Sequence, residues 1–519
     1  MTITAAETVP EAKYRPFLKP FWKKEGLNNI HHEMTAARKV WICNSRPRNP
    51  QNPHYANYKA KKRQFRCLMR KLQHECETEF YQEIDQSSEV DQNKFWALLN
   101  RKRKKKAVTV SDLKVNGIVY RTHEDKMNIW TDYFTNRYNN ESNTDGFDQE
   151  HKETTDRYLE ELETITMDEN DNVLRQPFTP KEIQTELKNL KLNKKGGADT
   201  ITYEHLKYGG ASLELCLSRL FNAMYRNEYV PHGMKEGLLY TLYKGSKKYD
   251  DDRKNYRGIS LLPVVSKLFE KLILQRMKQW LLTTNVKFPS SNQNAYQSSL
   301  CSLFASFELQ ECINYNTERG SKVYVALLDS SSAFDTVWHS GLFVKLHNIG
   351  IHGKLWRLLR RSYQGLTSNV VLNGCHSRDI PVYQSVRQGS ILGPWYYMLY
   401  IHELALSLME SHNGAKIGSI RCGGILQADD IAIAALTPNA LQDLVLQCEQ
   451  YSKILRYKYN PIKSKLLFFG KSARKSDPVC SPIYLYDKRI DEVNESVHVG
   501  VHLNVCSRHP FAQMMQLQG

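Results

Sequence analysis

The sequence predicts an α+β protein that carries its polar chemistry on the tips of short strands. Three observations lead there. From Phe178 to about residue 505, helical periodicity alternates with apolar runs of strand length. One such run, V-Y-V-A-L-L, ends in a carboxylate at Asp329. Another, I-L-Q-A-D-D-I-A-I-A from Ile425 to Ala434, sets Asp429 and Asp430 between two apolar halves, as a hairpin with acids at its turn would.

Ahead of Phe178 the texture is different. The first hundred residues read as basic and helical. Phe65, Leu68, Leu72 and Cys76 recur at helical spacing, among Lys59, Lys61, Lys62, Arg63, Arg66, Arg70 and Lys71. Ser45–Tyr55, rich in Pro and Asn, reads as a loop. Arg101, Lys102, Arg103, Lys104, Lys105 and Lys106 form an unbroken cationic run. The run reads as a solvated tail or linker, or else as a nucleic-acid contact or nuclear-import signal. The Asn-rich, acidic stretch Asn139–Asp171 reads as a second linker. The expected organisation is a basic helical region over 1–138, a polar linker over 139–177, the α+β domain over 178–505 and a tail over 506–519. Inside the domain, Thr179-Pro180-Lys181-Glu182 is a capping box with Pro at the first helical position. Ile183, Leu187 and Leu190 follow on one face.

Composition narrows the function classes. A chain of 519 residues, 41% hydrophobic, is long enough for two to four compact units with sizeable cores. Lys and Arg exceed Asp and Glu by 72 to 55, a net +17, which points to a polyanionic partner or a solvated basic surface. The first residues lack the basic start and apolar run of a secretory signal, and no stretch of about 18 apolar residues suits a membrane span. The 11 cysteines are odd in number and show no C-x-x-C spacing, which suits free thiols in a reducing compartment.

The three aspartates carry the chemistry. An acid inside a strand is disfavoured, so Asp329 is expected at the strand's end. Adjacent acids at Asp429 and Asp430 repel, and burial between apolar strands makes both costly unless a cation neutralises them. Asp is also a common turn residue, so the hairpin alone is a moderate signal. Three carboxylates on neighbouring strand tips fit two metal ions about 3.5–4 Å apart, and Mg²⁺ suits oxygen ligands shared with phosphates.

These residues also carry a family resemblance. D-S-S-S-A-F-D-T-V-W-H at 329–339, R-Q-G-S-I-L-G-P at 387–394 and Q-A-D-D at 427–430 resemble motifs A, B and C of non-LTR (LINE-type) retrotransposon reverse transcriptases, in that order. N-Y-R-G-I-S-L-L-P-V-V-S-K-L-F-E-K at 255–271 is similar to the family's fingers segment. K-K-G-G-A-D-T-I-T-Y-E-H-L-K at 194–207 is similar to its N-terminal extension of the fingers. Q-N-A-Y-Q at 293–297 matches the stretch before motif A, N-P-I-K-S at 460–464 resembles motif D, and V-G-V at 499–501 a primer-grip hairpin.

The resemblance implies a right-hand polymerase: fingers over about 178–322, palm over 323–470 and the start of a truncated thumb over 471–505. It implies RNA-directed DNA synthesis, a nucleotidyl transfer with Mg²⁺ (two ions, Mn²⁺ substituting), an RNA template, a DNA primer or target, dNTPs, and a ribonucleoprotein of nucleus and cytoplasm. Asp329, Asp429 and Asp430 would bind metal. Phe334 would be the steric gate against a 2′-hydroxyl. Arg257, Gln388 and Gly389 would line the nucleotide pocket, with Gly389 admitting close backbone approach. Lys463, ahead of its neighbour Lys465, would protonate the departing pyrophosphate. Asp335 reads as structural. Departures are Ser330–Ser332 where a charged residue is frequent, Gly393 in place of Ser, and Gln427 in place of an aromatic. The short stretch after Gly500 suggests the competing reading of a retroelement remnant that binds nucleic acid without polymerising.

Overall fold

The computed structural model describes residues 20–24, 26–91, 94–96, 98–99, 112–139, 146–165, 173–245, 251–298, 300–470 and 482–505. Two compact units separate between Ser111 and Asp112.

In the first unit, helices α1 (Leu27–Cys43) and α2 (Pro53–Val90) pack against each other. Helix α2 starts earlier than the expected loop allows. The Asn52 side chain accepts the N–H groups of His54 (3.0 Å) and Tyr55 (3.3 Å), and Pro53 takes the first helical position, where a missing N–H costs nothing. Phe65, Leu68, Leu72 and Cys76 gather on Phe21, Trp22 and Leu27. Lys59, Arg63, Arg66, Arg70 and Lys71 are left exposed. The cationic run Arg101–Lys106 lies outside the described residues.

The second unit begins with elements that the sequence reading placed elsewhere. Helix α3 (His123–Tyr138), capped by Thr122, buries Met127, Trp130, Phe134 and Tyr138 within this unit. Helix α4 (Gln149–Thr164), capped by Asp148, occupies the stretch read as linker. Its composition is polar because a single narrow stripe, Thr155, Leu159 and Leu162, is buried. Next come α5 (Pro180–Lys188), β1 (Glu236–Tyr243), β2 (Tyr256–Leu261) and α6 (Val264–Thr283). The capping box forms at α5: Glu182 N–H donates to Thr179 Oγ1 at 3.2 Å and Thr179 N–H to Glu182 Oε2 at 3.5 Å. From α6, buried Arg276 donates to both oxygens of Glu182 (2.8 and 2.7 Å), so the cap carboxylate also anchors the next layer.

Two five-stranded sheets and a separate hairpin draw on further elements: α7 (Ser302–Glu318), β3 (Val323–Asp329), α8 (His339–Asn348), β4 (Thr367–Leu372), α9 (Gly393–Tyr400), β5 (Gly424–Gln427), β6 (Asp430–Ala435), α10 (Pro438–Ile454), β7 (Lys465–Phe469), β8 (Asp491–Glu492), and β9 (Glu495–His498) with β10 (Val501–Asn504), which form the hairpin. In the first sheet β1 pairs antiparallel with β2 and parallel with β4, so a strand from residues assigned to the palm completes a sheet assigned to the fingers. The central sheet has the order β5-β6-β3-β7-β8. Here β8, from residues assigned to the thumb, joins the sheet edge against Lys465 and Leu466. Sequence boundaries cannot show such crossovers, because pairing partners lie far apart along the chain.

The central sheet is covered on both faces. Ala305, Leu309, Cys312 and Ile313 of α7 pack with Val323, Val325, Leu327, Ala432, Ala434 and Leu467. Helix α10, burying Leu441, Leu444, Val445 and Cys448, lies against β6 and β3. Burial on both sides explains why Val323–Leu328 is apolar without alternation, each large side chain contributing about 1.5–3 kcal/mol. A charge is tolerated only where the strand emerges, at half-buried Asp329. The described cysteines are all free. No helix among the described residues is long and apolar enough to cross a membrane.

Candidate active site

Strand register brings the aspartates together. Strands β3 and β6 are antiparallel with Asp329 directly opposite Asp430. Like charges facing across two strands are destabilising by themselves. Asp429 stands beside them in the two-residue turn that joins β5 to β6, where Gln427 pairs with Asp430. Burial, then the negative charges of Asp429 and Asp329, push the Asp430 carboxyl up to about 6. Burial and the charge of Asp329 also raise Asp429, while Arg257 counteracts both shifts. The cluster therefore favours a bound proton or a bound cation.

Lys463 supplies part of the neutralising charge. Its Nζ lies 3.6 Å from Asp329 Oδ2. A turn fixes this: Asn460 N–H donates to the Asp329 carbonyl (2.8 Å), Asp329 N–H to Ser464 Oγ (3.2 Å), and Lys463 N–H to Asn460 Oδ1 (3.3 Å). Lys465 lines the same cleft but pairs with Asp491 at 3.1 Å instead of with Asp329. Asp329, Asp430, Lys463 and buried His498 of the β9–β10 hairpin line one polar cleft. No group of three or more acidic, His or Cys side chains among the described residues encloses an ion by itself. Mg²⁺ commonly binds through one or two carboxylates and completes its shell with water and substrate phosphate, which this donor set fits.

The acidic turn is strained and braced. Ala428 has φ 56°, unfavourable for a residue with a Cβ. Its N–H donates to Gln293 Oε1 at 3.0 Å, and the same oxygen accepts Ala295 N–H at 2.9 Å. Around it, Leu426 N–H donates to Asn292 O (2.9 Å) and Asn294 N–H to Leu426 O (2.8 Å). The segment Q-N-A-Y-Q thus props the hairpin, a role for Gln293 that sequence reading did not assign. The signal available was two adjacent amides, Gln293 and Asn294, ahead of Ala295, which is too common a pattern to single out.

The remaining candidates surround this centre. Half-buried Phe334 stacks on buried Tyr397 (centroids 4.6 Å, 15° between planes), and Tyr296 meets it edge-on at 6.4 Å. Arg257 is exposed on β2, close enough to lower Asp429 and Asp430. Gln388 donates from Nε2 to Asp335 Oδ1 at 3.3 Å, and its carbonyl accepts Ser260 N–H at 2.8 Å. Gly389 has φ 133°, and a Cβ there would lie 2.1 Å from the Ser260 carbonyl oxygen. The close approach expected of Gly389 is therefore to the backbone of β2.

Residues 245–498 match the family described as reverse transcriptase (RNA-dependent DNA polymerase). The chain is similar to a probable RNA-directed DNA polymerase from transposon X-element of Drosophila melanogaster, 26% identical over 63% of this chain and 35% of that protein. A probable RNA-directed DNA polymerase from transposon BS of the same species is 24% identical over 70% of this chain and 41% of its own length. The RNA-directed DNA polymerase from mobile element jockey of Drosophila funebris is 25% identical over 63% and 35%. The chain thus spans well under half the length of these relatives.

Proposed function

We infer that this chain, which carries a reverse transcriptase domain like those of non-LTR retrotransposons at residues 245–498, extends a DNA 3′-end with dNTPs on an RNA template. The observation that carries the reading is the cross-strand pairing of Asp329 with Asp430 beside Asp429. Burial and neighbouring negative charge raise the proton affinity of Asp429 and Asp430, a cost that a bound cation would offset. In this reading the sheet of β3, β5, β6 and β7 is the palm and the sheet of β1, β2 and β4 belongs to the fingers. Bound divalent ions, Mg²⁺ by preference, would lower the pKa of the primer 3′-hydroxyl and offset charge on the triphosphate.

The chain's own residues do the rest. Asp329, Asp429 and Asp430 would hold the ions. Arg257 on β2 would bind triphosphate oxygens, and its charge already reaches the acids. Gln388 and Gly389 would form the floor under the incoming base and sugar, held to β2 through Ser260. Phe334, backed by Tyr397, would press on the sugar where a ribose carries its 2′-hydroxyl. The Lys463 ammonium, turned into the cleft, would donate a proton to the pyrophosphate oxygen as the bond to the α-phosphorus breaks. The exposed cations of α2 would bind RNA through phosphates, with strong salt dependence. Copying at a chromosomal nick would need nuclear access from a cytoplasmic ribonucleoprotein.

Incorporation of labelled dNTPs on an RNA template with an annealed DNA primer, with divalent ions present or chelated, tests this reading. Metal-dependent extension supports it. Tight primer–template binding without extension would favour the binding-only remnant.

A further inference from the structure

We propose that Arg137, at the C-terminal end of α3, is a positioning residue that sets where the Phe334 ring stands and so tunes the preference for deoxyribo- over ribonucleoside triphosphates. The inference rests on the polymerase reading above. Arg137 lies more than a hundred residues before the matched reverse transcriptase stretch and belongs to none of the motifs A to D.

Its contacts bracket the ring on both sides along the chain. Arg137 Nε lies 2.8 Å from Asp335 Oδ2, and Nη2 donates to the Ser332 hydroxyl. Ser332 is in the left-handed region at φ 58°, and Asp335 N–H closes the turn on Ser332 O at 2.8 Å. Phe334 sits inside that turn. Its own carbonyl accepts Val386 N–H at 2.9 Å, next to the segment carrying Gln388. The end of α3 holds that segment as well. The Tyr138 carbonyl accepts the N–H groups of Tyr383 and Gln384, both at 3.2 Å, and the Arg137 carbonyl accepts the Gln384 side chain at 2.8 Å.

Both charges of the pair are largely buried, with side-chain exposures of 19% and 10%. A buried carboxylate without its cation is unstable, so Asp335 depends on Arg137. Tyr133 fixes the guanidinium from the other side through a 2.5 Å hydrogen bond. One guanidinium therefore ties the strained Ser332 and the buried Asp335 together, two residues before and one after the ring that meets the sugar. A gate works by clash, so a displacement well under the size of a hydroxyl changes what it admits.

Single-nucleotide insertion of a dNTP and of the matching rNTP by the full chain tests this. The variants are Arg137→Met, Arg137→Lys and Asp335→Asn, each also made in a Phe334→Val background, with melting curves for all. The expected result is a loss of at least about ten-fold in the dNTP-over-rNTP ratio of kcat/KM for Arg137→Met and Asp335→Asn, seen chiefly as a lower KM for the rNTP. Arg137→Lys, which keeps the charge and loses the fork, falls between. In the Phe334→Val background the same changes leave the ratio where Phe334→Val alone puts it. If Arg137→Met does not fold, Arg137→Lys decides. An unchanged ratio in folded, active variants, or an equal loss with and without Phe334, would overturn the proposal. A wild-type chain that incorporates no nucleotide would remove the polymerase reading and this inference together; an active wild type with unaltered selectivity in the variants removes the inference alone.

Discussion

Replacing Gly389 with Ala should damage the nucleotide pocket through the backbone of β2. Two costs arise. The residue holds φ 133°, where a side chain is strained by about 1–3 kcal/mol. The new Cβ would also lie 2.1 Å from the Ser260 carbonyl oxygen, roughly 1 Å inside ordinary contact. Forcing a methyl into packed structure costs about 1–3 kcal/mol. The strand and the loop must separate, stretching the 2.8 Å bond from Ser260 N–H to the Gln388 carbonyl. The sum is about 2–6 kcal/mol of stability, and a shift near 1 Å in the pocket lowers kcat/KM about 100-fold. Urea unfolding and single-nucleotide incorporation, measured on Gly389→Ala beside wild type, read both. Stability within about 0.5 kcal/mol and activity within a few-fold of wild type would refute the reasoning.

Two other predictions use different parts of the molecule. Lys463→Met should lower the maximal incorporation rate by about 10²-fold, and Lys465→Met by much less, since only Lys463 reaches Asp329; equal effects in rapid-quench kinetics would remove the distinction. Burial holds the His498 imidazole down to about 4 from an ordinary 6.5. The unfolded chain therefore binds the proton first, so stability is full above about pH 6.5 and falls as pH drops toward 4, by up to about 3 kcal/mol. His498→Phe should lessen the fall in denaturation midpoints across that window, with His339 and His347, likewise held down to about 4 by burial, keeping part of it, and an unchanged slope would discard the assignment.

Much of the site was legible because its physics is local. A run of apolar residues ending in one acid announces a strand buried on both faces, and Val323–Asp329 is one. The acidic hairpin and the Thr179 cap likewise depend on neighbours in sequence. What stayed hidden depends on partners far along the chain. Gln293 looks like any amide until its oxygen is found under the strained Ala428, 135 positions later. Arg137 falls in the basic helical region in sequence and belongs to the Phe334 turn in space. The polar helix Gln149–Thr164 read as linker because so few of its residues face the core. Strand β4 could not be assigned to the sheet of β1 from its own mixed polar and apolar texture, since parallel pairing leaves no turn signal.

Asp329, Asp429 and Asp430 are proposed to form a cation-dependent polymerase centre. The most direct measurement is primer extension on an RNA template by wild type and by the Asp429→Ala, Asp430→Ala double variant, with Mg²⁺ supplied or chelated and folding checked by circular dichroism. The expected result is extension by wild type with Mg²⁺, none with chelator, and none by the folded variant. Extension that survives in the variant, or that ignores chelation, would contradict it.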